Sequence, residues 1–197
     1  MILRMSRPAG HYHHGDLAAA LELAAIELLS EKGAANLSLR EVARRAGVSH
    51  SAPYHHYADR QELLKAVAAR SLHDLLDAMT AARDRAGSPK EQLVAVGIAY
   101  VDFAIEHVGQ FGTMYDPQIW DPREHDPVTG PRFEASYELL ANAVRAAVPN
   151  QDEETLPLIT AGLWSLVHGL ANLIAAGHLP REIVPATLNA LIEMRLD

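Results

Sequence analysis

Ser49, His50, Ser51, Tyr54, His55 and His56 place six hydrogen-bonding side chains within eight residues. Hydroxyls donate and accept, and each neutral imidazole offers one donor and one acceptor. No carboxylate interrupts the run. The mixture is too polar for a core helix and suits the exposed start of an element lying in a duplex major groove, where side chains meet base edges and phosphates. Ser and His read bases less decisively than an arginine forked on guanine. Discrimination is therefore expected to be spread over many weak contacts, partly through water or DNA shape.

The frame that must hold these side chains is Leu37–Tyr57, LSLREVARRAGVSHSAPYHHY. Ser38 and Glu41 have capping-box spacing, in which the hydroxyl takes an orphan N–H and the carboxylate reaches back. Leu39, Val42, Ala43 and Ala46 fall on one helical face. Gly47 supplies a left-handed residue to end the helix, and Val48 plugs the turn. Ser49, or a residue just after it, caps a second short helix whose first turn tolerates Pro53. Ala43 and Gly47 let the two helices pack closely at a steep angle, which is a helix-turn-helix pattern.

Two other constellations carry potential chemistry. His11, His13 and His14 have the density of a metal site but no carboxylate or Cys framework to complete one. His107, Asp116, His125 and Asp126 are acid and base groups of the kind hydrolases use. They sit on a Pro-rich loop without a phosphate-cradling glycine run, a zinc-binding HExxH or a nucleophile motif. Neither a metal nor a cofactor is expected, and the chain does not read as an enzyme.

The 197 residues suffice for one or two domains with a real core, and the absence of Cys excludes disulfides and suits a reducing cytoplasm. No apolar run is expected to approach the length of a membrane span, and the first residues lack the apolar core of a signal peptide. Ala and Leu dominate while β-branched residues are sparse, so the chain is expected to be all-α. The net charge of −8 divides unevenly: residues 1–70 carry +2 and residues 71–197 carry −10. The mildly positive end is free to meet phosphates while the acidic body stays away from them.

Along the chain, Met1–Gly10 reads as an arm bearing Arg4 and Arg7. Asp16 is placed to cap a helix reaching Lys32, stopped by Gly33. Asp59 and Glu62 open a long helix to about Arg85. Ser88 and Glu91 cap a helix to about His107, a short helix covers 110–115, and 116–131 is a loop with four prolines. Further helices are expected over 132–147, 155–176 and 180–195.

The run from Tyr12 to Val67 resembles the DNA-binding domain of TetR-type (tetracycline-repressor-like) transcriptional regulators. The pieces that carry the likeness are YHHGDL at 12–17, LSLREVARRAGVS at 37–49, PYHHYADRQELL at 53–64 and KAV at 65–67. The resemblance implies three helices for DNA over residues 1–58 and six for a ligand-binding and dimerisation body over 59–197. It implies a DNA backbone contact for the segment of His11, His13 and His14, a phosphate partner at Tyr54 and an inward-packed aromatic at Tyr57. His55, Arg60 and Lys65 are further backbone candidates. One of Arg44 and Arg45 is expected on DNA, against the alternative of a solvated charge pair.

LWSLVHGL at 163–170 is similar to a Trp-x3-His-Gly signature in the C-terminal domain of one TetR subgroup. Trp164 and His168 are four apart, hence on one helix face. His168 is either a hydrogen-bonded core residue or a ligand-facing polar group. With Tyr100, Phe103, His107, Phe111, Met114, Tyr115 and Trp120 it suits a mostly apolar small molecule. The last two helices, bearing Leu163, Leu166, Leu170, Leu173, Ile183, Leu188, Leu191 and Ile192, are expected to form a four-helix seam between two copies, or to complete the monomer core.

The resulting expectation is a cytoplasmic, ligand-responsive DNA-binding regulator, most often a repressor in this family. It would act as a homodimer on a palindromic operator and be released by a small effector. The competing expectation is a DNA-binding structural protein without an effector.

Overall fold

The computed structural model describes residues 14–121, 123 and 126–195. Among them every regular element is helical, and contacts divide the chain between Arg60 and Gln61. The arm at 1–10, the histidines at 11 and 13, the side chain of His14, and His125 lie outside the described residues.

The first unit holds α1 (His14–Lys32), α2 (Leu39–Arg45) and two 3-10 turns, Ala34–Asn36 and Ala52–His55. α1 begins two residues before the expected cap at Asp16. Leu21, Ala24, Ala25, Leu28 and Leu29 are buried along it at helical spacing. Gly33 (φ 74°) ends it, a backbone region in which only glycine is unstrained.

Gly47 (φ 70°) plays the same part after α2. Its N–H bonds to the Arg44 carbonyl (3.3 Å), and the Val48 N–H reaches back to the Ala43 carbonyl (3.0 Å). That pair of bonds satisfies two carbonyls the helix end leaves open. The Ser38 hydroxyl caps α2 by accepting from the Glu41 N–H (3.3 Å). The Glu41 carboxylate accepts from the Ser38 hydroxyl at 2.8 Å and pairs with Lys32.

The second unit has six helices: α3 (Arg60–Arg85), α4 (Pro89–Glu106), α5 (Val108–Met114), α6 (Gly130–Ala147), α7 (Thr155–Ala175) and α8 (Ile183–Arg195). Ser88 and Glu91 form the expected reciprocal cap at the start of α4. α4 is the central helix, packed against α5, α6, α7 and α8. Gly97 permits that crowding: a Cβ there would lie 2.9 Å from Cδ1 of Leu188 on α8 and 3.4 Å from Cγ1 of Val167 on α7. The Asp102 carboxylate receives a two-pronged bond from Arg181, tying α4 to the turn before α8.

α7 corrects one expectation. It has 21 residues with no Asp, Glu, Lys or Arg, enough by length and composition to cross a membrane, and 22% of its most apolar stretch is buried. Thr160, Ser165, His168 and Asn172 interrupt its apolar character. Leu158, 73% exposed, and Leu173, 44% exposed, stand on its outer side, with Leu191 of α8 also exposed.

Candidate nucleic-acid interface and internal chamber

The reading segment is tighter than expected. A second short α-helix was anticipated after Gly47, but the segment forms a single 3-10 turn, Ala52–His55. The cause is local. Pro53 has no N–H, so the Ser49 carbonyl cannot receive the bond an α-helix would give it from position 53. The Ala52 N–H takes that carbonyl instead at 3.0 Å, and the three-residue spacing continues from Tyr54 to Ser51 and from His56 to Pro53.

Pro53 and Tyr57 are buried and pin the turn from inside, and the Tyr57 hydroxyl donates to Glu22 on α1 (2.9 Å). Ser49, His50, Ser51, Tyr54 and His55 all face outward, and Tyr54 is 54% exposed. The Ser49 and Ser51 hydroxyls lie 3.2 Å apart, so the two act as one polar edge.

The cations expected to help have different situations. Arg44 is exposed and makes no ion pair among the described residues. Arg45 bridges to α1, 2.9 Å from Glu27 and 2.6 Å from Glu31. Arg60 donates through Nε to the Leu37 carbonyl (3.0 Å) and through its other arm to the Ala34 carbonyl. Lys65, on α3, lies 3.7 Å from Asp126 in the second unit. Arg45 and Arg60 are thus occupied in bracing the first unit, with Arg60 holding the two ends of the Ala34–Leu37 turn.

In the second unit, four of the side chains expected to bind a ligand converge on one oxygen. The Tyr100 hydroxyl lies 3.0 Å from the Tyr115 hydroxyl, 2.9 Å from Nδ1 of His168 and 3.3 Å from Nε1 of Trp164. α4 supplies Tyr100, the residue after α5 supplies Tyr115, and one face of α7 supplies Trp164 and His168. Burial raises the Tyr100 and Tyr115 hydroxyls above the ordinary phenol value, so both stay protonated. Burial lowers the His168 imidazole, which favours its neutral form. Phe111 closes one side, with its ring centroid 5.6 Å from Tyr100 and 5.4 Å from His168.

A cavity of about 20 Å³ lies against this cluster. Met79, Phe133, Ser136, Tyr137 and Leu140 complete its wall, and none of the lining side chains is charged. The α6 side of that wall was missed in the sequence. Phe133, Ser136, Tyr137 and Leu140 recur at three- and four-residue spacing, which reads equally as an ordinary core stripe.

Not every expected residue is at the chamber. Trp120 is buried and donates to the Met114 carbonyl (2.8 Å), which fixes the loop after α5. Phe103 and His107 stack at 4.8 Å and line a separate open groove of about 550 Å³ between α3 and α4. Among the described residues no group of three His, Cys, Asp or Glu is arranged to hold a metal.

Residues 17–67 match the family of bacterial regulatory proteins named for the tetracycline repressor, and residues 93–197 match the tetracyclin-repressor-like C-terminal domain. The HTH-type transcriptional regulator Rv1816 of Mycobacterium tuberculosis is 33% identical over 109 residues; the match takes in 54% of this chain but spans only 45% of that regulator's length. The uncharacterized HTH-type regulator YobS of Bacillus subtilis is 29% identical over 162 residues, 81% of this chain and 79% of the relative. A solved protein of unknown function from Rhodococcus sp. RHA1 superposes with a TM-score of 0.78 at 31% identity, over 96% of this chain and 100% of that one. The first two of these relatives are named as transcriptional regulators. With both halves matched, this chain belongs to the TetR family of helix-turn-helix transcriptional regulators.

Proposed function

We propose that the chain is an effector-responsive repressor. Two copies bind a palindromic operator through Ser49, His50 and Ser51 on base edges, with Tyr54, His55 and Arg44 on phosphates. A small, mostly apolar molecule entering the chamber beside Trp164 releases the pair. Residues 1–58 act as the reading head and 59–197 as the regulatory body. The work is done in the cytoplasm, where the chromosome lies.

The observation that carries the DNA reading is the turn itself. Its five polar side chains point outward from a segment that Pro53 and Tyr57 hold from within. The test is a mobility-shift titration on duplex DNA with the triple substitution Ser49→Ala, His50→Ala, Tyr54→Ala. Loss of specific binding with unchanged helix content supports the reading; wild-type affinity in the triple variant removes it.

The pairing rests on the outer face of α7 and α8. Leu158, Leu173 and Leu191 are exposed there beside the small residues Ala161, Gly162 and Gly169, which permit close approach of a second backbone. A bilayer is the poorer cover, because Ser165 and Asn172 stand on the same exposed surface and the other face carries His168. Two heads about 34–36 Å apart would then meet successive major grooves.

Release follows from the size of the chamber. About 20 Å³ holds roughly one water, whereas drug-sized ligands occupy roughly 300–1,000 Å³. An effector therefore binds only an expanded form and shifts the population toward it. α3 runs unbroken from Arg60 to Arg85 with Met79 in the chamber wall, so the chain leaving the reading head continues as one helix to the effector site. Gln61 in its first turn donates to the Ile119 carbonyl at 2.9 Å, next to Trp120. The loop after α5 is thereby fastened to the same helix.

A further inference from the structure

The chamber has an extension with a different character. A second cavity of about 100 Å³ lies along the same α6–α7 seam and is lined by Tyr137, Ala141, Arg145, Glu153, Leu156 and Thr160, with Pro157 at its edge. Tyr137 lines both cavities, so its ring is the partition between them. It is only half-buried, and among the described residues its ring meets that of Trp164, at 6.0 Å and 83°. A swing of this side chain would join the aromatic box to an outer cleft that carries charge.

The charge in that cleft is loosely held. Arg145 donates to the Asn142 side chain at 3.0 Å, and its Nη2 lies 3.7 Å from the Glu153 carboxylate. The Arg145 side chain is 52% exposed and that of Glu153 82% exposed, so the pair contributes little. The neighbouring Asp152 carboxylate is committed to the start of α7, where it accepts from the Thr155 N–H at 2.6 Å. Glu153 is therefore the displaceable partner, and an incoming carboxylate of the right reach replaces it with the two-pronged geometry a guanidinium favours. The positive end of the α7 dipole, at Thr155, favours the same sign of charge.

We propose that the effector is an aromatic molecule with a flexible tail ending in a carboxylate: the ring lies among Tyr115, Phe133 and Trp164, the tail passes Tyr137, and the carboxylate meets Arg145. The inference rests on the effector reading above and adds the ligand's class. The box favours a ring because its walls already meet edge to face, with Phe133 and Trp164 5.8 Å apart at 70° and Tyr115 and Phe133 6.4 Å apart at 76°. It has no charge to offer an ion, so the carboxylate belongs in the cleft. Tyr137 and Arg145 are eight residues apart on α6, about 12 Å at 1.5 Å per residue, a gap for the tail and the Arg145 side chain to span between them.

The test uses the full chain and three probes of one shape: 6-phenylhexanoate, 6-phenylhexan-1-ol and 6-phenylhexan-1-amine. Binding is read by tryptophan fluorescence and calorimetry at low salt. The acid is expected to bind about threefold to tenfold more tightly than the alcohol, and the amine most weakly, as for one partly exposed ion pair. Arg145→Gln removes the preference and leaves alcohol binding unchanged. Glu153→Gln widens it. Equal binding of acid and alcohol with Arg145→Gln without effect overturns this inference and leaves the chamber as the effector site. Tighter binding of the amine also overturns it. Failure of all three probes to bind overturns the inference and the chamber reading together.

Discussion

The Tyr100 hydroxyl lies 2.9 Å from Nδ1 of His168 and also takes the Trp164 N–H, so one phenol joins α4 to two successive turns of α7. That oxygen has one proton to give and two lone pairs to fill, and with Tyr115 it has three partners. It is saturated, which leaves Tyr115 as the hydroxyl able to turn toward a guest. Tyr100→Phe keeps the ring but strips Trp164 and His168 of their partner. The expected cost is about 1–2 kcal/mol, seen as a lower urea midpoint with unchanged slope. An unchanged midpoint would mean that water satisfies both nitrogens.

The lowered pKa of His168 makes stability depend on pH. Its ordinary value is 6.5, and the folded value lies below it because burial penalises the charged ring. Above 6.5 the imidazole is neutral in both states and adds no pH dependence. As pH falls below 6.5 the unfolded chain takes up the proton first, so stability drops until the folded value is passed. Melting curves between pH 8 and 5 are expected to show this loss, and His168→Gln to reduce it. The titratable groups facing the ring are the phenols of Tyr100 and Tyr115, both held neutral, so neither supplies a competing transition in this window.

Arg60 separates bracing from DNA contact. Its guanidinium is spent on the Leu37 and Ala34 carbonyls. Arg60→Ala is expected to lower the stability of the reading head by about 1–2 kcal/mol. The slope of log affinity against log salt should stay as it is. A fall in that slope of about one unit, with stability intact, would instead make Arg60 a phosphate ligand.

The outer face of α7 predicts the state of assembly. Wild-type chain is expected to sediment at twice its 21.5 kDa mass. Leu158→Glu with Leu173→Glu places two carboxylates on that face and should give single chains with the same far-ultraviolet spectrum. Operator affinity should fall with it, since one head alone makes half the contacts. A doubly substituted chain that still sediments as a pair would move the interface elsewhere.

Much of this was legible in the residues. The glycine stops at 33 and 47 both have positive φ, because a chain reversal straight after a helical stripe has few other solutions. The caps at Ser38 and Ser88 follow from side-chain reach over three residues. The convergence of Tyr100 and Tyr115 on the Trp164–His168 face was expected as a group, though not its centre on one hydroxyl. What escaped had tertiary causes. Phe133 and Tyr137 carry no local mark that separates a chamber wall from a core stripe. Phe103 shares a helix with Tyr100, and His107 follows its end, but both turn toward a different groove. Arg45 and Arg60 are cations in the right stretch of chain, and only the fold shows that carboxylates and carbonyls claim them. The 3-10 turn could have been anticipated from Pro53, whose missing N–H falls where the Ser49 carbonyl needs a donor.

The most direct test of the account is selection of duplexes from a random pool by the purified chain, with sequencing of what is retained and the mass of the complex measured. The account predicts an inverted repeat with half-sites a whole number of helical turns apart, two chains per duplex, and loss of enrichment when Ser49, His50 and Tyr54 are replaced by Ala. Retention without any enriched repeat, or the same repeat enriched by the triple variant, would contradict it.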